Sequence, residues 1–563
     1  MNRKATNRGA GEWASEHASE RARQGAGFAP GRDWDLLVIG GGITGAGVLL
    51  EAARRGLKTL LVEQRDFAWG TSSRSSKLVH GGLRYLAGGN ARLARDVVRE
   101  REALLRAAPG LVEPQSFAFA DHGADIKRRL GFLAMLRVYD MLAGRREPRW
   151  ERAQSLRMPA PGTGRRGAGE SAGAIGYTDA KTDDARLVLR VLDEARAHGA
   201  VACNYVTVQA LVRDGGKVHG AMLRDERSKD ETAVRARVVI NATGAWSDLP
   251  GAAGEGGGNG GNGGNGGNGA CASGRAPRLR PLRASHLVLP ASRLPLAQAV
   301  SLLHPADGRP VFAFPWEGVT LVGTAGVGHE ESMSTEARIT RAEFDYLMAA
   351  LHAQFPQRDL RDADVTATFA GVRPVIDAGA DGAPASEKRE HFVWSEPGLV
   401  SVTGGKMTTF RSIALDVLRH VSRQLPGWQL RAERGPVFAR VAVPARRDLP
   451  ADVLRRLAGR HGAHAEDLLR VARAGELECV PGTRTLWAEL RWAARSEQVY
   501  QLEDLLLRRT RLGLQLPGGG VERIAHIRAI CQPELGWLDA HWEAQERRYL
   551  DEWRKQYGVP PAV

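Results

Sequence analysis

Three glycines and an acid downstream of them, Gly40, Gly42, Gly45 and Glu63, have the types and spacing to hold a dinucleotide. In G-x-G-x-x-G the first glycine allows a tight turn and the second lets a pyrophosphate approach the backbone. The third lets helix pack closely on strand. A helix that starts there turns unpaired N–H groups and a positive dipole end toward phosphate. Glu63 is spaced to accept from a ribose 2′-hydroxyl. A second group is the Ser-rich stretch Gly70-Thr71-Ser72-Ser73-Arg74-Ser75-Ser76-Lys77, followed by Leu78–Leu86, LVHGGLRYL. Its small hydroxyl residues can line a long polar ligand, and His80 and Tyr85 are bunched beyond them. The third group, Gly404-Gly405-Lys406-Met407-Thr408-Thr409, lies far downstream. Lys406 stands out there, since only ten of the 79 basic residues are lysine.

Strands and helices must bring these groups together. Leu36–Ile39 is a short apolar run, suited to a strand buried on both faces of a parallel sheet. Leu57–Val62 is a second such strand, ending at Glu63. Arg237–Ile240 is a third, running into Asn241-Ala242-Thr243-Gly244-Ala245-Trp246, and a strand entering a small-residue turn is where open α/β sheets place ligands. Leu399–Val402 repeats that logic ahead of Gly404–Thr409. Val201–Val212 and Val218–Arg224 read as hairpin strands. His286–Leu289, Val311–Pro315 and Val319–Gly323 read as further strands, and Leu93–Leu105 as a helix. Asp183-Asp184-Ala185-Arg186 opens a helix, with acids suited to its N-terminus. Ile126–Arg146 mixes Leu, Met, Phe and Tyr with clustered Arg and Lys. It suits either a bilayer interface or a core-packed helix with snorkelling arginine stems. From about 435 the chain turns Arg-, Leu-, Glu- and Trp-rich with helical spacing. Its Arg508-Arg509-Thr510-Arg511 reads as a structural cluster, on a solvated face or in an internal ion network.

A chain of 563 residues exceeds the usual single domain. The net charge is +15, but the basic residues are spread and no nucleic-acid motif appears. An anionic membrane surface or a phosphorylated substrate fits that charge equally well. Four cysteines without CxxC or metal spacing indicate a reducing compartment, no disulfides and no metal site. Residues 1–30 read as a disordered tail without a secretory h-region, and no apolar run is long enough to span a bilayer. Residues 254–270, GEGGGNGGNGGNGGNGA, read as a flexible insertion with no chemistry assigned.

Taken together, Gly40–Gly45, GTSSRSSKLVHGGLRYL, DDAR, NATGAW, GVRP (Gly371–Pro374), GGKMTTFR (Gly404–Arg411) and LLLRRTR (Leu505–Arg511) resemble the FAD-dependent, aerobic, quinone-reducing glycerol-3-phosphate dehydrogenases. The resemblance covers about residues 33–550. It implies an α/β fold like that of D-amino-acid oxidase: a Rossmann-like FAD-binding domain, an inserted antiparallel β substrate domain and an all-α C-terminal domain. The expected division is residues 31–430, with the substrate domain at about 110–180 and 280–370, then 435–555. The reaction it implies is oxidation of sn-glycerol 3-phosphate to dihydroxyacetone phosphate, with membrane quinone as acceptor. The protein would be cytoplasmic, peripheral to the inner face of the cell membrane, and a homodimer is compatible with the family.

By matching position, Arg373 and Arg389 would bind or orient substrate, and His80, Tyr85 and Lys406 would flank it beside the flavin. Glu63 would hold the adenosine ribose. Thr71, Ser72 and Ser73 would hold the pyrophosphate and ribityl chain, with Lys77, Gly244 and Gly405 beside the cofactor and Thr408 at the flavin ring. The helix N-terminus after Gly405 would face the electron-rich edge of reduced flavin. Two motifs depart from the family: Arg283-Ala284-Ser285-His286 replaces basic-Gly-x-His, and Gly323-Thr324-Ala325-Gly326 replaces Gly-Thr-Thr-Asp.

The side chains suit that chemistry. Hydride transfer from C2 needs a base for the alcohol proton and positive charge to steady an alkoxide. Arginine suits the phosphate. His80 is the first choice of base, and Lys406 or an Arg-polarised water would also serve. Competing readings keep the fold with another acceptor or substrate (an oxidase using O₂, or an amine or hydroxy-acid oxidoreductase), or make the chain a non-catalytic flavoprotein scaffold or a nucleic-acid binder. Arg373, Arg389 and Lys406 favour a phosphate over an amino acid.

Overall fold

The computed structural model of the chain describes residues 32–120, 126–144, 150–151, 174–247, 279–329, 331, 333, 335–376, 391–431 and 435–562. The tail 1–30, the Gly/Asn insertion 254–270 and Arg389 lie outside the described residues.

Apolar runs build the central sheet. Its strands lie in the order His391–Glu396, Leu399–Gly404, Glu231–Asn241, Trp34–Ile39, Thr59–Glu63, Val201–Asn204. Neighbours are parallel except the first pair. Alternation along Trp34–Ile39 separates two cores. Leu36 and Val38 face the helical layer, whereas Leu37 packs with Val218, Ala221 and Leu223 of an antiparallel meander on the opposite side. On the helical side Ile43–Ala53 packs against both Asp184–Ala197 and Phe410–Ser422.

The run Val201–Val212, read from sequence as one strand, divides in two. Tyr205 sits at φ +59°, so Val201–Asn204 stays at the edge of the parallel sheet while Val206–Asp214 crosses into the meander. A left-handed backbone at a bulky residue is uncommon. It is accompanied by a hydrogen bond from the Tyr205 hydroxyl to Asp504 of the C-terminal helices, at 2.7 Å.

Among the described residues a second sheet has eight strands, drawn from Val112–Ala120, Trp150–Glu151, Ala174–Thr182 and the region Leu279–Ile376. It is antiparallel except where Ala299–Leu303 runs parallel to Val112–Ala120. One core joins it to the helix Arg341–Gln354. Another joins Phe314, Trp316 and Phe369 to Trp487, Leu505, Leu506 and Trp542 of the C-terminal helices. Those helices therefore close over the sheet.

The stretch 126–146 forms the helix Ile126–Ala143. Leu136 and Tyr139 are buried in it, while Leu130 and Met141 are 60% and 70% exposed. Among the described residues no helix is long and apolar enough to cross a membrane.

Candidate functional site

The glycine loop joins Trp34–Ile39 to the helix Ile43–Ala53, and backbone crowding leaves no room for a Cβ at Gly40 or Gly45. Gly40 has φ +112°, and a Cβ on Gly45 would stand 2.0 Å from the Gly40 carbonyl oxygen. Gly45 therefore serves the close strand–helix contact. The Glu63 carboxylate accepts from the Gly41 N–H at 2.7 Å and the Arg65 N–H at 2.9 Å. Burial pushes its carboxyl up, against the two backbone donors that pull it down. Each oxygen keeps a lone pair for a further donor. Ser72 reaches back from the Ser-rich loop, its Oγ accepting from the Ile43 N–H at 3.0 Å. The Ser-rich loop and the helix N-terminus are thereby one unit.

A cleft of about 410 Å³ lies over this unit. Gly40, Gly42, Glu63, Thr71, Ser72, Gly244, Arg373, Gly405 and Lys406 all line it, so residues up to several hundred positions apart share one wall. Gly244, at φ +65°, follows a turn in which Asn241 Oδ1 accepts from the Thr243 hydroxyl at 2.7 Å. The Thr403 hydroxyl donates to the Gly244 carbonyl at 2.9 Å. That contact ties the downstream glycine turn to this one. Arg373 is exposed on the strand Ala367–Ile376.

Behind Lys406, its ammonium lies in hydrogen-bond contact with the Tyr85 hydroxyl and 4.2 Å from the Tyr85 ring centroid. Tyr85 is buried and follows Gly82, which turns at φ +76°. The His80–Gly82 turn is anchored by Asp179, which accepts from the Gly81 N–H at 2.8 Å and from Arg101 at 2.6 Å. Burial pushes the Asp179 carboxyl up despite Arg101. Thr408 is buried, and its hydroxyl donates to the His80 carbonyl at 3.4 Å rather than lining the cleft. Ser73 is buried too; its hydroxyl donates to the Trp69 carbonyl at 3.5 Å.

Lys77 lies apart from the cleft wall. Its ammonium is fully buried, 2.9 Å from Asp184 and 3.0 Å from the Ser73 carbonyl. Burial and the Arg511 guanidinium pull it down to about 8. The acids Asp183 and Asp184, read as helix caps, do more than cap. Asp183 accepts from the Arg186 N–H at 3.2 Å, but it also meets Arg460 at 2.8 Å.

Two cleft residues lie in the motifs but were not singled out as cofactor ligands. Ser75 lines the cleft. Trp246 also lines it, with its ring centroid 5.8 Å from that of Trp69 and its indole N–H donating to the Met333 carbonyl at 2.7 Å. A large aromatic directly after a small-residue turn was the available signal. His286, in the motif that departs from the family, is buried 3.0 Å from the Ser76 hydroxyl and stacked on Phe369. It does not line the cleft.

Residues 35–411 match the family model described as FAD dependent oxidoreductase, and residues 416–541 match the C-terminal domain of alpha-glycerophosphate oxidase. Aerobic glycerol-3-phosphate dehydrogenases of Staphylococcus epidermidis and Staphylococcus aureus are 31% and 30% identical over 512 and 513 residues, spanning 85% of this chain and 86% of each relative. The structure of the glycerol-3-phosphate dehydrogenase from Bacillus halodurans complexed with FAD is similar with a TM-score of 0.71 at 26% identity, covering 97% of this chain and 99% of that one. The FAD-bound L-alpha-glycerophosphate oxidase from Mycoplasma pneumoniae, at 16% identity and TM-score 0.52 over 72% of this chain and 97% of that one, shares the fold.

Proposed function

Because the chain belongs to the FAD-dependent oxidoreductases and, within them, to the aerobic glycerol-3-phosphate dehydrogenase family, we propose that it oxidises sn-glycerol 3-phosphate to dihydroxyacetone phosphate and passes the electrons to a membrane quinone. The observation that carries this reading is the Lys406–Tyr85 contact in a cleft wall shared by Arg373 and the dinucleotide loop.

The residues present fit FAD. The glycine loop would not admit a Cβ at Gly40 or Gly45, and Glu63 keeps acceptor capacity for a ribose hydroxyl. Thr71 and Ser72 line the cleft and would hold the pyrophosphate and ribityl chain. Bound FAD supplies the acceptor for the hydride leaving C2 of the substrate. Arg373, with Arg389, holds the phosphate through charge-assisted hydrogen bonds. Tyr85 accepts from the Lys406 ammonium and so orients it toward the cleft. The Lys406 charge steadies the substrate oxygen as it loses its proton. His80 takes the proton, with Lys406 as the alternative base.

Membrane attachment rests on the net charge of +15 and on the exposed Leu130, Val138 and Met141 of the helix Ile126–Ala143. Basic and apolar groups together favour an anionic bilayer surface, here the cytoplasmic face. The test of the reaction is anaerobic addition of sn-glycerol 3-phosphate to the purified protein. Bleaching of the flavin absorption is expected. A yellow protein that does not bleach would discard the substrate.

A further inference from the structure

The C-terminal helices carry Leu505-Leu506-Leu507-Arg508-Arg509-Thr510-Arg511, and all three arginines are buried. Their partners are not other parts of the helical domain alone. Arg509 makes a two-pronged pair with Asp66, at 2.7 and 2.8 Å, and Arg508 meets the same carboxylate. Asp66 follows Glu63 by one turn of chain. Its own loop folds onto the dinucleotide glycines, with the Ala68 N–H donating to the Gly41 carbonyl at 3.0 Å. Arg511 reaches the opposite flank. Its Nη2 donates to the Ser73 carbonyl at 2.8 Å and lies 3.1 Å from Asp184. Asp184 in turn accepts from both the Ser75 N–H and the Ser75 hydroxyl, at 3.0 and 2.8 Å.

We infer that Arg508, Arg509 and Arg511 are positioning residues for FAD, by which the C-terminal helical domain grips both flanks of the dinucleotide site and slows release of the cofactor. The inference rests on the reading that the cleft holds FAD. One flank is the Glu63–Ala68 loop, which carries the ribose acceptor. The other is the Thr71–Ser75 loop, whose Ser72 caps the phosphate-facing helix.

The backbone supports a dedicated arrangement. Asp504–Arg509 is a single π-helical turn, a form that concentrates at functional sites. Arg511 then stands at φ +66°, a conformation that a long side chain adopts only where its surroundings hold it. A second anchor acts on the Ser-rich loop: the Arg74 guanidinium donates to the Tyr557 hydroxyl at 2.9 Å, near the end of the chain. Coupling is reciprocal, so if these contacts order the loops for FAD, bound FAD must hold the contacts.

The test follows flavin fluorescence on dilution of the holoprotein, together with its Tm. Arg511→Gln and Arg509→Gln are expected to release FAD faster by roughly tenfold or more, with the KM for substrate little changed at saturating FAD, and Arg511→Lys is expected to recover part of the loss. Arg491→Gln is the control. Arg491 is buried and paired with Glu476 and Glu534 away from the cleft, so this variant should lose Tm without faster release. Equal release rates in wild type and the Arg509 and Arg511 variants, or equal acceleration in the Arg491 variant, would overturn the inference. Should the Arg511 variant fail to fold, amide exchange on wild-type holoprotein decides: residues 505–512 must lose protection together with 70–77 as FAD leaves, and unaltered exchange there would refute it. A protein that purifies colourless would instead strike at the FAD reading.

Discussion

The Lys406 ammonium and the Tyr85 hydroxyl meet although the two residues are 321 positions apart. One comes from the last glycine turn of the parallel sheet and the other from the turn after the Ser-rich loop. A cation held against a phenol polarises it toward donation. Lys406→Met is expected to slow flavin reduction by roughly 10²–10³-fold while FAD content stays normal. Stopped-flow reduction at saturating substrate measures it, and a rate near wild type would remove Lys406 from the chemistry.

Arg373 is exposed at the cleft, whereas Arg508, Arg509 and Arg511 of the C-terminal helices are buried. Arg373→Ala should cost about 2–5 kcal/mol in kcat/KM for sn-glycerol 3-phosphate if it pairs the substrate phosphate. An unchanged value would exclude it from the site.

Gly45→Ala puts a methyl group 2.0 Å from the Gly40 carbonyl oxygen, and neither backbone can yield without opening the strand–helix contact. The purified variant should carry little flavin absorbance. Full FAD occupancy would show that the loop tolerates a shift.

His286 is held down at about 3 by burial, reinforced by the Lys77 ammonium. Between the ordinary value of 6.5 and about 3, the unfolded chain binds a proton that the folded chain does not. Stability is therefore lost as pH falls through that window. Urea midpoints measured from neutral pH downward should fall, and His286→Gln should flatten that fall. Parallel curves for both proteins would contradict the assignment.

Leu130 and Met141 present apolar surface on a basic helix. Leu130→Glu combined with Met141→Glu should reduce flotation with anionic liposomes, leaving FAD content and reduction by substrate unchanged. Equal flotation of both proteins would place membrane contact elsewhere.

The dinucleotide loop was legible in the sequence because its requirements are local. Positive φ at Gly40, close approach at Gly45 and an acid at the end of the next strand are each demanded by backbone geometry within one βαβ unit. The strand-to-turn segments at Gly244 and Gly405 were legible for the same reason. What only the tertiary structure decided are the partners. Lys77, set beside the cofactor by the family resemblance, pairs with Asp184. Arg508, Arg509 and Arg511, read as a structural cluster, form an internal ion network whose partners, Asp66 and the Ser73 carbonyl, lie more than four hundred residues away. Tyr205 broke a run that alternation alone would continue. A buried charge must find its counterion wherever the chain brings one. In a sequence with 69 arginines for 64 acids, periodicity and spacing carry no record of which pairs do so.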